Sequence, residues 1–347
     1  LVEPLFERVM RLVGVEVARP FPRLAWRDAI ARYGSDKPDL RFDMPIHDVT
    51  DEMASLGLEG FPRLIGEGAR ARAIVLPSSA GVSGTRMRKI NEELWLARIV
   101  PDARASKRNL FTLKAGDDAV ANLAKKGASE AVARQLLEKV GAARDDLLLV
   151  GLDAPAPLAM AMGILRLEMG RDLKLVDEAA HRFVWVTEFP LFERDAATGS
   201  LVSVNHPFTA PMDEDLALLD SDPGAVRAKA YDIVLNGTEA GGGSIRIHDS
   251  ELQARVFRLL SLSEQEMRER FGFFIDALRY GTPPHGGIAL GLDRIAMILA
   301  GESSLRDVIA FPKTASATDL MSGSPSPVSE TQLRELAILS VKTGRGQ

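Results

Sequence analysis

The sequence predicts an α+β fold: antiparallel strands gathered late in the chain, helices set to their sides, and a second α+β module inserted in the middle. Three observations carry this. Apolar segments on either side of Asn236-Gly237 share a two-residue turn signal, the mark of a hairpin and not of a βαβ crossover. Capping boxes, Ser263-Glu-Gln-Glu266 and Ser329-Glu-Thr-Gln332, open separate helices after that hairpin. From about 52 to 180 the chain turns rich in Ala, Arg and Gly and has its own apolar runs, enough for a distinct module.

Taken in order, Leu5, Val9, Leu12 and Val13 recur at helical spacing up to Gly14. That helix has no clear cap and no initiator Met before it, which fits either a trimmed terminus or truncation of a longer protein. The polar run Tyr33-Gly-Ser-Asp-Lys-Pro-Asp-Leu-Arg41 reads as an ordered turn leading into a strand near Phe42. Ala73 to Leu76 and Leu147 to Val150 are short apolar runs, the second read as a strand. An Ala-rich helix after Ser129 stops at Gly141, and another helix runs around Met160 to Met169. Phe183 to Phe189 and Ala230 to Asn236 are strands. Met267, Phe271, Phe274, Ile275 and Leu278 form the apolar face of the helix after Ser263. Finally, a strand from Ile288 to Leu292 feeds a helix with Asp293 as N-cap, closing at Gly301.

Composition narrows the function classes. The 347 residues hold 48 acidic and 43 basic side chains, a net charge of −5, which disfavours a protein held to nucleic acid by bulk charge but allows a local basic groove. No cysteine is present, so disulfides and thiolate metal sites are excluded. His47, His181, His206, His248 and His285 are scattered, without zinc-binding spacing. No apolar run approaches the ~20 residues of a membrane span, and the first residues do not read as a signal peptide. A soluble, cytoplasmic protein is expected.

The densest chemistry lies between Asp232 and His248. On a strand, Asp232, Val234 and Asn236 share one face; the chain then turns, loosens through Gly241-Gly-Gly243, and resumes with Ser244, Arg246 and His248 on one face. Pairing the two segments sets Asp232, Glu239 and Arg246 around one polar surface. Two carboxylates suit Mg²⁺ shared with nucleotide phosphates, and an Arg on a strand suits a bidentate grip on carboxylate or phosphate. An ordinary hairpin with a solvated polar face fits the same pattern. In Gly281-Thr-Pro-Pro-His285 through Gly291-Leu-Asp-Arg294, Arg294 projects from a first helical turn that already favours anions, as a triphosphate clamp or a surface salt bridge. His285 reads as a structural turn residue. In Asn205-His206-Pro-Phe-Thr-Ala-Pro211, His206 is either a ligand contact or a satisfied structural histidine. Arg70-Ala-Arg72 and Arg86-Met-Arg-Lys89 read as solvated faces.

Together these strings resemble the bacterial-type aspartyl-tRNA synthetases, a class IIb aminoacyl-tRNA synthetase family. The resemblance rests on Tyr33 to Arg41, His206-Pro-Phe-Thr209, Tyr231-Asp through Asn236-Gly-Thr-Glu-Ala-Gly-Gly-Gly-Ser-Ile-Arg-Ile-His248, and Gly281 to Arg294, the last similar to class II motif 3. It implies a class II antiparallel sheet flanked by helices, with an inserted GAD-like α+β domain: catalytic domain over 1–52, insertion over 53–180, catalytic domain again over 181–347. It implies ATP as substrate with Mg²⁺, activation of L-aspartate to aspartyl-adenylate, transfer to tRNA(Asp), and a homodimer with no membrane association. Arg246 would grip the aspartate side chain, with Asn205 and His206 beside it. Asp232 and Glu239 would handle Mg²⁺, and Glu239, Gly291, Leu292, Asp293 and Arg294 the ATP.

Two departures accompany the resemblance. Asn205 stands where the family usually has a histidine, a donor that cannot carry its charge. Nothing resembles motif 1, motif 2 or the anticodon-binding OB domain, so the chain is expected to be a C-terminal part that is inactive alone. Two other readings remain: an aspartate-activating paralogue such as an ammonia-dependent asparagine synthetase, and a non-catalytic module that binds tRNA or an amidotransferase.

Overall fold

The computed structural model describes residues 1–99, 110–195 and 197–340, and the chain divides into two compact units, Leu1–Gly291 and Leu292–Gln347. The first unit is built on two sheets. One has five strands in the order β1-β6-β9-β10-β11, with β1 Arg23–Ala25, β6 Phe183–Thr187, β9 Ala230–Leu235, β10 Thr238–Ile245 and β11 Gly286–Leu290. Only the β1–β6 pairing is parallel; the others are antiparallel. The second sheet is antiparallel, in the order β2-β3-β5-β4, from β2 His47–Asp48, β3 Arg70–Leu76, β4 Phe111–Lys114 and β5 Leu147–Asp153. A small hairpin joins β7 Phe192–Arg194 to β8 Leu201–Ser203. The α+β class is as expected.

Each sheet is covered for a physical reason legible in its residues. β3 and β5 are apolar on both faces. One face, through Ile74, Leu76 and Leu149, packs on the helix Pro155–Asp172 with Phe42, Met44 and Ile46. The other, through Ala71, Ala73 and Val150, packs with Val120, Ala133 and Leu136, which lie on the helices Asp117–Ala124 and Glu130–Lys139. On the five-stranded sheet, Val184, Val186 and Val234 bury against Ala29 of the helix Trp26–Tyr33 and Val256 of the helix Ser250–Leu259. Burying such side chains supplies about 1.5–3 kcal/mol each.

Several local expectations are met. Gly141 ends its helix with φ +66°, and both capping boxes form. Others are corrected. No strand forms near Phe42; the first strand after the polar turn is β2, and Phe42 instead packs its ring against Arg166. The N-terminal helix Val2–Arg11 buries Phe6 and Met10, leaving Leu5, Leu12 and Val13 exposed, because the Phe6 ring meets Phe183 at 5.2 Å. Arg72 is not a solvated residue: it is half-buried and donates to the Ile30 carbonyl at 3.1 Å. Among the described residues no helix is long and apolar enough to cross a membrane.

Among the described residues the second unit holds the helices Leu292–Leu299 and Glu330–Glu335 with a 3₁₀ turn at Leu305–Asp307. Gly301, at φ +71°, closes the first of these. That helix begins two residues earlier than an N-cap at Asp293 would place it, so Asp293 is its second residue and not its N-cap.

Candidate active site

The site is made by a fault in a strand. The turn Asn236-Gly237, with φ +51° and +78°, returns β9 as β10, and the register runs Glu239 opposite Val234 but Gly241 opposite Ile233. Ala240 is therefore an extra residue, a β-bulge, and it shifts the pleat by one. Without it Glu239 and Gly242, three apart, would lie on opposite faces. With it, Asp232, Glu239, Gly242, Ser244 and Arg246 share one face. The three glycines do not loosen the chain, as expected from sequence; they lie inside a continuous strand paired on both edges.

Gly242 lies opposite Asp232 and forms the floor between the two carboxylates. A Cβ there would collide with Asp232 Oδ1 and stand 3.2 Å from Glu239 Oε1. The other oxygen, Glu239 Oε2, is 3.2 Å from Lys37 Nζ. Lys37 was missed as a site residue because a lysine in a polar turn looks solvated. Its motif, Tyr33 to Arg41, was the available signal. The Gly291 N–H donates to the Ala240 carbonyl at 2.9 Å, seating that glycine on the bulge beside Glu239. Two carboxylates converging over a glycine fit a hard divalent cation that takes its remaining oxygens from phosphates and water. Among the described residues no group of three such ligands exists that would cage a metal without a substrate.

The other end of the face lies about 13 Å along β10, four residues from Gly242. Arg246 pairs backbone with Thr209, and its N–H donates to the His285 carbonyl at 2.9 Å, which accounts for His285 as a structural residue. The Ser244 and Thr209 hydroxyls are buried 3.4 Å apart. His206 shares this end. Its Nδ1 accepts from the Phe208 N–H at 3.3 Å, so Nε2 carries the proton and is the donor. Burial, and after it the charge of Arg246, hold the imidazole below its ordinary pKa, hence neutral near pH 7. The loop is anchored by Phe208, whose ring lies 4.4 Å from Phe274 and 5.2 Å from Phe271. The Arg246 guanidinium is half-exposed, and among the described residues no carboxylate ion-pairs with it. Asn205 is exposed next to His206.

Leu292, Asp293 and Arg294 belong to the second unit, where they form the first turn of the helix Leu292–Leu299; Leu292 is exposed and Arg294 half-buried. The first unit thus brings together Asp232, Glu239, Lys37 and Gly291 at one end of the face, and Arg246 and His206 at the other.

The chain is a member of the tRNA synthetases class II (D, K and N), whose family model matches residues 1–315. Among its relatives, an aspartate–tRNA(Asp/Asn) ligase of Anoxybacillus flavithermus is 44% identical over 97% of this chain and 56% of its own length. One of the same name from Moorella thermoacetica is 47% identical over 98% of this chain and 56% of its own. An aspartate–tRNA ligase of Oceanobacillus iheyensis is 44% identical over 97% and 56%. The chain spans about half the length of these curated relatives.

Proposed function

We propose that this chain carries the aspartate-recognising and metal–nucleotide end of an aspartate–tRNA ligase, which activates L-aspartate with ATP and passes it to tRNA(Asp). The observation that supports this most is Arg246: a half-exposed guanidinium, without a carboxylate partner among the described residues, directly after β10 and beside a neutral histidine. Such a cation favours a small dicarboxylate over its amide, because only the acid offers two charged acceptors to the guanidinium fork. His206 Nε2 and Asn205 add neutral donors that orient the substrate without adding charge.

In this reading the substrate's other carboxylate attacks the α-phosphorus of ATP, giving aspartyl-adenylate and pyrophosphate. No proton has to be removed from a carboxylate nucleophile, so the site has no need of a general base. Its work is alignment and charge neutralisation. Asp232 and Glu239 are the residues that would hold Mg²⁺, which when bound neutralises phosphate oxygens. Gly291, Leu292 and Asp293 are assigned to the nucleotide and Arg294 to its phosphates. Residues 53–180 are read as the inserted GAD-like domain, and the intact protein as a homodimer.

The test is ATP–pyrophosphate exchange by a chain extended to the length of the curated relatives, with L-aspartate and L-asparagine compared. Exchange that depends on L-aspartate is expected. Exchange driven equally by asparagine, or by neither, rejects the assignment.

A further inference from the structure

The helix Pro155–Asp172 covers the four-stranded sheet, yet one of its faces is turned to a segment of the five-stranded half. Arg166, 1% exposed, donates from Nε to the Met44 carbonyl at 2.8 Å and from Nη2 to the carbonyls of Asp39 and Phe42 at 3.1 and 3.0 Å. Its guanidinium lies 3.9 Å over the Phe42 ring and 5.0 Å from the Tyr33 ring. One turn earlier, Gly163 meets Gly34 backbone to backbone, since a Cβ on Gly163 would stand 2.5 Å from the Gly34 carbonyl oxygen. One turn later, a Cβ on Gly170 would stand 2.6 Å from the Phe42 ring. Positions 163, 166 and 170 repeat at helical spacing, so a single face grips the loop at three points.

That loop reaches the site. It carries Lys37, 3.2 Å from Glu239 Oε2, and Asp39, whose Cβ would be 3.2 Å from a Cβ on Gly237 at the β9–β10 turn. Lys37 pairs with one oxygen of Glu239, while the other borders, with Asp232 Oδ1, the space over Gly242. Two carboxylates this close repel, and Lys37 both offsets that repulsion and sets the Glu239 side chain.

We infer that Arg166 is a positioning residue for the metal–nucleotide end of the site, acting from the central module through the loop that presents Lys37 to Glu239. The inference rests on the proposed function. A wholly structural Arg166 would lower stability alone; a positioning Arg166 acts through Lys37.

The experiment is a double-variant cycle in a chain extended to the length of the curated relatives. It is read by L-aspartate-dependent ATP–pyrophosphate exchange and by calorimetric binding of Mg·ATP without aspartate. Lys37→Met should weaken Mg·ATP roughly five- to tenfold in both readouts and leave half-saturating L-aspartate within about twofold. Arg166→Lys keeps the charge but cannot span three carbonyls, and it should weaken Mg·ATP in the same direction. The double variant should be no weaker than Lys37→Met alone. Additive losses, Mg·ATP binding unchanged by a folded Arg166→Lys, or Mg·ATP binding unchanged or tightened by Lys37→Met, overturn the inference. If thermal melting shows that Arg166→Lys does not fold, Phe42→Leu, which removes the ring beneath the guanidinium, replaces it in the same cycle. An unsubstituted chain without aspartate-dependent exchange overturns the proposed function instead.

Discussion

Replacing Gly242 with Ala puts a methyl group in collision with Asp232 Oδ1 and 3.2 Å from Glu239 Oε1. Gly242 has no positive φ, so its backbone accepts Ala and the conflict is confined to the ends of two side chains. Swinging a carboxylate off its preferred rotamer costs about 0.5–1.5 kcal/mol, and unfolding free energy should fall by no more than that. Function should suffer far more. Restoring van der Waals separation moves a carboxylate by about 1 Å, and a misplacement of that size costs roughly 10²-fold in a positioned site. Gly243→Ala, one residue on, is the control. Its methyl would collide with the Gly287 carbonyl oxygen and lie 2.9 Å from Ile288 Cα, both of them backbone of β11. The ladder itself must part, at a cost of about 1–3 kcal/mol or more. Urea unfolding and Mg·ATP calorimetry on both variants separate the two effects. Equal destabilisation by both, or unaltered Mg·ATP affinity in Gly242→Ala, would show that Gly242 is not the floor between the carboxylates.

Three further outcomes are expected. Arg246→Leu should reduce L-aspartate-dependent exchange at least ~10²-fold, as for loss of two charge-assisted hydrogen bonds, with circular dichroism and melting unchanged; normal aspartate kinetics would remove Arg246 from the substrate. Ser263→Ala breaks the capping box of the helix Glu264–Leu278 and should lower stability by about 1 kcal/mol in urea unfolding, without affecting Mg·ATP binding. For Asp39, burial alone would raise the carboxyl, but hydrogen bonds from the Arg41 side chain and backbone outweigh it and hold it below the usual carboxylate range. A folded pKa below the unfolded one stabilises at neutral pH and ceases to do so as pH falls through the folded value. The stability gap between the unsubstituted chain and Asp39→Asn should therefore be full at about pH 7 and shrink below about pH 4; a gap independent of pH would contradict the Asp39–Arg41 contact.

Much of this could be read from residues alone because it depends on neighbours in sequence. Asn236-Gly237 needs two positive φ angles, Ser263 reaches only to Glu266, and Gly141 ends its own helix. What could not be read depends on distant partners. Asp232, Glu239 and Arg246 could be grouped from sequence, but nothing local marks Ala240 as the extra residue that puts Glu239 on the face of Gly242. Arg166 sits in a mostly apolar run, Met160 to Met169, that also holds Glu168, and its burial is decided by carbonyls more than 120 positions away. The N-terminal helix offers two apolar stripes, and Phe183 selects the one with Phe6. The candidate site divides in the same way: the residue types proposed for it stand out in sequence, while the bulge that gathers Asp232, Glu239 and Gly242 on one face, and the approach of Lys37, do not.

The single parallel pairing, β1 on β6, also dictates an order of folding. Arg23 meets Trp185 across the chain that forms the four-stranded sheet and its helices. Closing an unstructured loop of roughly 160 residues costs about 4.5 kcal/mol of chain entropy by logarithmic scaling. If residues from Asp39 to Asp177 have already collapsed, the free chain left to close is roughly 25 residues and the cost falls to about 2.9 kcal/mol. The difference speeds that encounter more than tenfold. The five-stranded sheet should therefore be completed last, by β1, on a scaffold that the four-stranded sheet and its helices have already drawn together.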